Sequence, residues 1–155
     1  MLELLPEFTS QPEVLLAACA FGYLAGSIPF GILISKLLGL GDLRQVGSGN
    51  IGATNVLRTG NKLAAFLTLL FDFSKGLCAV LIARHFFGED AVQVSAASAL
   101  MGHCFPIWLR FRGGKGVATF LGATIALSFI IGIICCFVWL FVALMKRMSS
   151  LASLI

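Results

Sequence analysis

An all-α protein that crosses a membrane several times is the fold class this sequence predicts, with about five transmembrane helices in one domain over residues 1–155. Three observations predict it. The chain is 59% hydrophobic and 12% charged, with a mean hydropathy of +1.00, whereas a soluble domain carries about a quarter charged residues. Four apolar runs, Val14 to Leu38, Leu63 to Phe87, Ala91 to Leu109 and Val117 to Met145, approach or exceed the roughly 20 residues that a hydrocarbon core about 30 Å thick demands. Apart from Lys75 and Arg84, every Lys and Arg lies in one of two loops or at the end of the last run.

The head, Met1 to Glu13, carries Glu3, Glu7 and Glu13 and no cation. It lacks the basic n-region of a secretory signal, so Val14 onward reads as a retained first helix. Within that run Ala18, Gly22 and Gly26 recur every four residues, with Gly31 on a shifted face. Small residues at this spacing let two helix backbones approach closely. Pro29 is expected to kink the helix near its end. In the second run Asp72 and Lys75 stand three apart at mid-membrane depth. Each would cost about 2.5–3.5 kcal/mol unpaired at the bilayer centre, so an i,i+3 ion pair facing the bundle interior is the minimum requirement. The last run is long for one span and short for two. Ser128 and Gly132 near its middle permit a tight turn.

Cation placement sets the orientation. Lys36, Arg44, Arg58 and Lys62 flank the first loop, Arg110, Arg112 and Lys115 form the second, and Lys146 and Arg147 close the last run. The turn from Arg84 to Asp90 holds Arg84 against Glu89 and Asp90. By the positive-inside rule the N-terminus and that turn are external and both loops cytoplasmic. The same rule favours a hairpin for Val117 to Met145, which returns Lys146 and Arg147 to the cytoplasm. Net charge is +4, suited to a surface that meets anionic lipid or phosphorylated substrates, with no nucleic-acid signature. Cys19, Cys78, Cys104, Cys135 and Cys136 show no C-x-x-C spacing, so neither a metal site nor a disulfide framework follows.

The two loops carry the chemistry. The first, R-Q-V-G-S-G-N-I-G-A-T-N-V-L-R from Arg44 to Arg58, combines Gly47, Gly49 and Gly52 with Ser48, Asn50, Thr54 and Asn55. Glycines let several backbone N–H groups converge on an anion, and hydroxyls, amides and guanidinium groups complete the cage. The second, R-F-R-G-G-K-G-V-A-T from Arg110 to Thr119, sets Lys115 among Gly113, Gly114 and Gly116, which lets a phosphate approach both ammonium and backbone. Together they suggest one anionic site at a membrane surface.

Other motifs weigh less. Gly47, Gly49 and Gly52 satisfy G-x-G-x-x-G, with Asp72 twenty residues beyond, but a transmembrane helix precedes the loop where the dinucleotide fingerprint needs a strand. G-G-K-G fails the P-loop spacing. His85 to Asp90 matches the H-x-x-x-x-D of acyl-CoA-dependent glycerolipid acyltransferases. It falls on the expected external face, away from both loops, and reads as coincidence. His103, just before the second loop, is either a packed polar group or a catalyst.

S-G-N-I-G-A-T-N-V-L-R and G-H-C-F-P-I-W-L-R-F-R-G-G-K-G-V-A-T, with G-S-I-P-F-G at 26–31 and D-F-S-K-G at 72–76, resemble the bacterial acyl-phosphate:glycerol-3-phosphate acyltransferases of the PlsY type. The resemblance runs from about Leu24 to the end. It implies a seven-helix enzyme of the bacterial plasma membrane that moves a fatty acyl group from acyl phosphate to the 1-hydroxyl of glycerol 3-phosphate, releasing lysophosphatidic acid and phosphate. The first family motif maps onto Ser48, Gly49, Asn50, Gly52, Thr54, Asn55 and Arg58, the second onto His103, Gly113, Gly114, Lys115, Gly116 and Thr119. A third motif, H-R-x-N-I-x-R-L in form, has no counterpart before Ile155. The chain therefore reads as lacking the last two helices, with S-S-L-A-S-L-I as the start of the next span.

On this reading Lys115, Gly47 and the other loop glycines, and Arg112 hold the phosphates of donor and acceptor, while Arg58, Ser48 and Asn50 orient glycerol 3-phosphate. Acyl phosphate is already activated, so the reaction can run on positioning and charge stabilisation without a covalent enzyme intermediate. The resemblance implies that a substrate phosphate takes the proton, with His103 orienting, and that no metal or organic cofactor is needed. Two alternatives remain: a transporter of phosphorylated solutes, whose polar residues would line a path through both leaflets, and an inactive membrane remnant of the enzyme.

Overall fold

A computed structural model describes residues 10–146, and every described regular element is helical. Glu3, Glu7, Arg147 and the S-S-L-A-S-L-I stretch lie outside the described residues. The chain runs through α1 (Pro12–Gly26), α2 (Phe30–Leu37), α3 (Ala53–Leu57), α4 (Lys62–Phe86), α5 (Glu89–Cys104), α6 (Val117–Leu127) and α7 (Phe129–Lys146), with short 3-10 turns at Leu43–Gln45 and Ile107–Leu109. α4 is the hub, packing on α1, α2, α3, α5 and α6.

Small residues set the helix distances, as the four-residue spacing predicts. A Cβ added to Gly22 would overlap the Ser95 carbonyl, and one on Gly26 the Ala99 carbonyl, so α1 and α5 run side by side in the same direction. Ser10 N donates to Asp90 Oδ2 at 2.7 Å and fixes the common start of the pair. Gly76 of α4 faces the Thr119 carbonyl and Gly122 of α6 faces the Phe73 carbonyl, which brings those two helices equally close. Dispersion and carbonyl contacts at such short range replace the hydrophobic drive that a lipid solvent does not supply.

Pro29 does more than kink the first run. The helix stops at Gly26 and restarts at Phe30, because proline has no N–H to offer the ladder. The break is stitched from two sides: Lys75 Nζ donates to the Ile28 carbonyl at 2.8 Å, and Trp108 Nε1 donates to Ser27 Oγ at 2.7 Å.

The last run divides at Ser128 into two helices of 11 and 18 residues, with Gly132 seated against Ile125 where α7 folds back on α6. Among the described residues four helical stretches, not five, are long and apolar enough to cross a membrane: α1 with α2, α4, α5 with the turn that follows it, and α7. The reason lies in where α6 begins. Thr119 Oγ1 donates to the Asp72 carbonyl at 2.9 Å, while at the other end Arg84 donates to the Ala126 carbonyl at 2.6 Å. At 1.5 Å per residue, α6 spans about 16 Å, the stretch of α4 from Asp72 to Arg84. The second loop therefore dips to the level of Asp72, some ten residues or about 15 Å in from the Lys62 end of α4. The site is sunk into the bundle.

Candidate active site

The first loop is folded by one buried side chain. Asn55 Nδ2 donates to the Leu43 carbonyl at 2.9 Å, and its Oδ1 accepts from Ser48 N at 3.1 Å and lies 3.4 Å from both Ser48 Oγ and Arg58 Nη1. Leu43 and Val56 anchor this hub to Ile34, Ala64 and Ala65 beneath it. Gly47 and Gly49 have φ of +51° and +67°, a region costly for side chains with a Cβ. A Cβ on Gly47 would also strike the Arg58 side chain. Asn50 Oδ1 accepts from Gly52 N at 3.0 Å, so its carbonyl shapes the loop and its amide nitrogen can donate to a ligand.

The second loop folds back on the end of α5. Gly113 N donates to the Cys104 carbonyl at 3.0 Å and Gly114 N to the His103 carbonyl at 3.1 Å. A Cβ at Gly114 would overlap His103 Nε2. These glycines seat the loop against α5 and the His103 ring, with their amides spent on α5 carbonyls. Arg110 and Phe111 are consecutive non-glycine residues at positive φ, +53° and +61°, and this strained turn directs the chain inward to Lys115. Gly116, at φ +77°, caps α6. The first-turn amides of Val117, Ala118 and Thr119 have no acceptor within the helix. Arg44 Nη2 donates to the Arg112 carbonyl at 3.0 Å and ties the two loops together.

Between the loops lies a cavity of about 250 Å³. It brings together Ser48, Asn50, Gly52, Thr54, Asn55 and Arg58 from the first loop with His103, Lys115 and Gly116 from the second. Gly47, Gly49, Arg112, Gly113, Gly114 and Thr119 stand outside its lining and shape or support it. Leu69, Asp72, Val117, Ala118, Leu121 and Trp139 complete the wall. Of these, Asp72 alone is singled out by the sequence reading, for its ion pair; Trp139 is not, since an aromatic residue in an apolar run is ordinary.

Behind the cavity the predicted ion pair is present, Lys75 Nζ to Asp72 Oδ1 at 2.8 Å, each side chain 4% exposed. His103 is buried beside it, with Nδ1 3.6 Å from Asp72 Oδ1 and 3.3 Å from Thr119 Oγ1. Thr119 has one hydroxyl proton, and it is directed to the Asp72 carbonyl. The contact with His103 is then a bond donated by Nδ1–H, so that in the neutral form of the ring Nε2 is the acceptor. Lys75 balances Asp72, so Arg58 and Lys115 give the cavity a net positive field.

The remaining motifs separate cleanly. His85 is exposed at the far end of α4, and the Asp90 carboxylate is taken up by Ser10 and the Ala91 amide. Beyond Asp72 the bundle is filled by Val80, Ala83, Val92, Ala96, Ala123 and Ala126. Among the described residues the polar lining of the cavity does not continue through it, as a solute path would require. No cluster of metal-ligating side chains is found among the described residues.

A family model described as glycerol-3-phosphate acyltransferase matches residues 16–155. The chain belongs to the glycerol-3-phosphate acyltransferase family. A relative of that name from Cereibacter sphaeroides (strain ATCC 17029 / ATH 2.4.9) is 58% identical over 151 residues, 97% of this chain and 75% of the relative. Another from Roseobacter denitrificans is 60% identical over 134 residues, 86% of this chain and 67% of the relative. Two crystal structures of PlsY, an integral membrane glycerol 3-phosphate acyltransferase, superpose on the fold. The glycerol 3-phosphate form has a TM-score of 0.83 at 45% identity, covering 90% of this chain and 70% of that one. The lysophosphatidic acid form has a TM-score of 0.78 at 41% identity, covering 90% and 69%. An all-helical, multi-pass membrane member of this acyltransferase family is thus the class of protein described by α1 to α7.

Proposed function

We propose that this chain transfers a fatty acyl group from acyl phosphate to the 1-hydroxyl of glycerol 3-phosphate, giving lysophosphatidic acid and phosphate. The observation that carries this reading is the cavity, where cations from two separate loops, Arg58 and Lys115, share one pocket with an apolar wall. Such a wall suits a chain and such cations suit two phosphates. Relatives named for glycerol 3-phosphate, and a related structure in its glycerol 3-phosphate form, support the acceptor.

Lys115 and the first-turn amides of α6 hold one phosphate, since N–H groups at a helix start favour anions. Arg58, with Ser48 and the Asn50 amide, holds the other. The hydroxyl oxygen attacks the acyl carbon, the bond from that carbon to the phosphate oxygen breaks, and phosphate leaves with its electron pair. A substrate phosphate oxygen takes the hydroxyl proton, and His103 Nε2 orients the hydroxyl by accepting its hydrogen bond beforehand. Positioning and charge stabilisation supply the acceleration. In membranes carrying the chain, phosphate release should require both acyl phosphate and glycerol 3-phosphate. Phosphate release that ignores glycerol 3-phosphate, or lysophosphatidic acid formation that proceeds equally from acyl-CoA, would sink the proposal.

The loops face the cytoplasm of a bacterial plasma membrane in this reading, because their cations obey the positive-inside rule. Glu89, with 74% of its side chain exposed at the opposite end, reports on this better than Gly88, where a new side chain would crowd Ser10. Glu89→Cys should react with a membrane-impermeant maleimide applied to intact cells. Reaction only after lysis would invert the topology.

A further inference from the structure

One polar group in the cavity wall has no part in the steps above: the indole N–H of Trp139. Its ring lines the same cavity as Lys115, Arg58 and His103. Nε1 has no acceptor among the described residues and almost no free surface, so a ligand atom in the cavity meets it with a turn of the indole about its side-chain bonds. Indole nitrogen is a donor only, and buried donors in folded proteins nearly always find a partner. A donor left over in the wall of a binding cavity marks a place where the ligand brings the acceptor.

The surroundings narrow what that ligand atom is. Trp139 lies ten residues into α7, about 15 Å from the Arg84 end of the bundle, and Asp72 lies at a similar depth on α4. Leu69 and Leu121 share the wall with it, and the rest of α7 is apolar and little buried. Phe or Leu would serve that helix as well as Trp does, unless the N–H is used. The acceptor must therefore sit between an apolar portion that follows Leu69 and Leu121 and an anionic portion that reaches Lys115 and Arg58. In acyl phosphate that atom is the carbonyl oxygen.

We propose that Trp139 Nε1–H donates a hydrogen bond to the acyl carbonyl oxygen of the donor, a bond that strengthens as this oxygen gains negative charge under attack. The proposal rests on the acyl-phosphate reading above. As the hydroxyl oxygen bonds to carbon, the carbonyl electron pair moves onto this oxygen, then returns as the bond to phosphate breaks. Trp139 keeps its proton throughout.

Trp139→Phe keeps an aromatic ring and removes the N–H. It should lower kcat with acyl phosphate by roughly a hundredfold, the scale seen for loss of one oxyanion donor, with the KM for glycerol 3-phosphate little changed. An unaltered kcat in a folded variant would overturn the proposal. A binding measurement is independent of turnover, because Trp108 and Trp139 are the two tryptophans of the chain. In a Trp108→Phe background, Trp139 fluorescence should shift with an unreactive acyl phosphonate and not with an alkyl phosphate of equal length that lacks the carbonyl. A shift with both would make the indole a chain contact, and a shift with neither would place the donor elsewhere; either result overturns the assignment. Acyl phosphate turnover by the unsubstituted chain tests the underlying reading separately.

Discussion

Lys115→Ala should reduce acyl transfer by about a thousandfold while leaving the protein folded in the membrane. The loss follows from removing one charged donor from a site where negative charge develops on a leaving phosphate, a change worth about 4 kcal/mol when such a donor is preorganised. Folding should survive because the side chain carries none of the loop's structure. The second loop is held by the Gly113 and Gly114 amides on the α5 carbonyls and by Arg44 on the Arg112 carbonyl, and Lys115 itself is exposed at the cavity. Lys115→Arg should recover only a small part of the rate, since a planar guanidinium on a longer stem replaces a compact point charge. Initial rates at saturating substrate, with thermal melting in detergent as the control, decide the matter. A folded Lys115→Ala protein with unaltered turnover would remove the phosphate assignment.

The helices and much of the site were legible in the sequence because their signals are local. Apolar length located α1 with α2, α4, α5 and α7, and the Ala18–Gly22–Gly26 spacing marked the face that meets α5. The cost of an intramembrane charge requires Asp72 and Lys75 to pair. Glycine-rich loops bearing Arg58 and Lys115 pointed to one anionic site, and both side chains line one cavity. What stayed illegible depends on contacts far apart in the chain. That α6 has only 11 residues follows from the depth at which the second loop enters, which is set by Thr119 on the Asp72 carbonyl. Gly113 and Gly114 look like room for a substrate and prove to be room for the end of α5, Gly113 for its carbonyls and Gly114 for the His103 ring, because only the fold places them there. Asn55 reads as one more small polar residue of the loop, yet its amide joins Leu43, Ser48 and Arg58. Trp139 is silent in sequence because an aromatic residue in an apolar run is ordinary.

The second large effect concerns the pair behind the cavity. Lys75→Met should cost about 3–5 kcal/mol of stability, because it leaves the Asp72 carboxylate buried without its cation and strips the Ile28 carbonyl of its donor where the first run breaks. Water cannot compensate at that depth, since both side chains are 4% exposed. Asp72→Asn in the same protein removes the stranded charge, so the double variant should regain most of the lost stability. Activity should not return with it. Asp72 stands 3.6 Å from His103 Nδ1, and an amide in its place weakens the interaction that orients the ring at the cavity. The pair thus serves two ends: Lys75 makes the carboxylate tolerable, and the carboxylate orients His103. Melting temperatures of the two variants and the unsubstituted protein, set beside their kcat values, separate these ends. Full activity in a folded Asp72→Asn/Lys75→Met protein would show that the pair only joins α4 to the first-run break and has no hold on the chemistry.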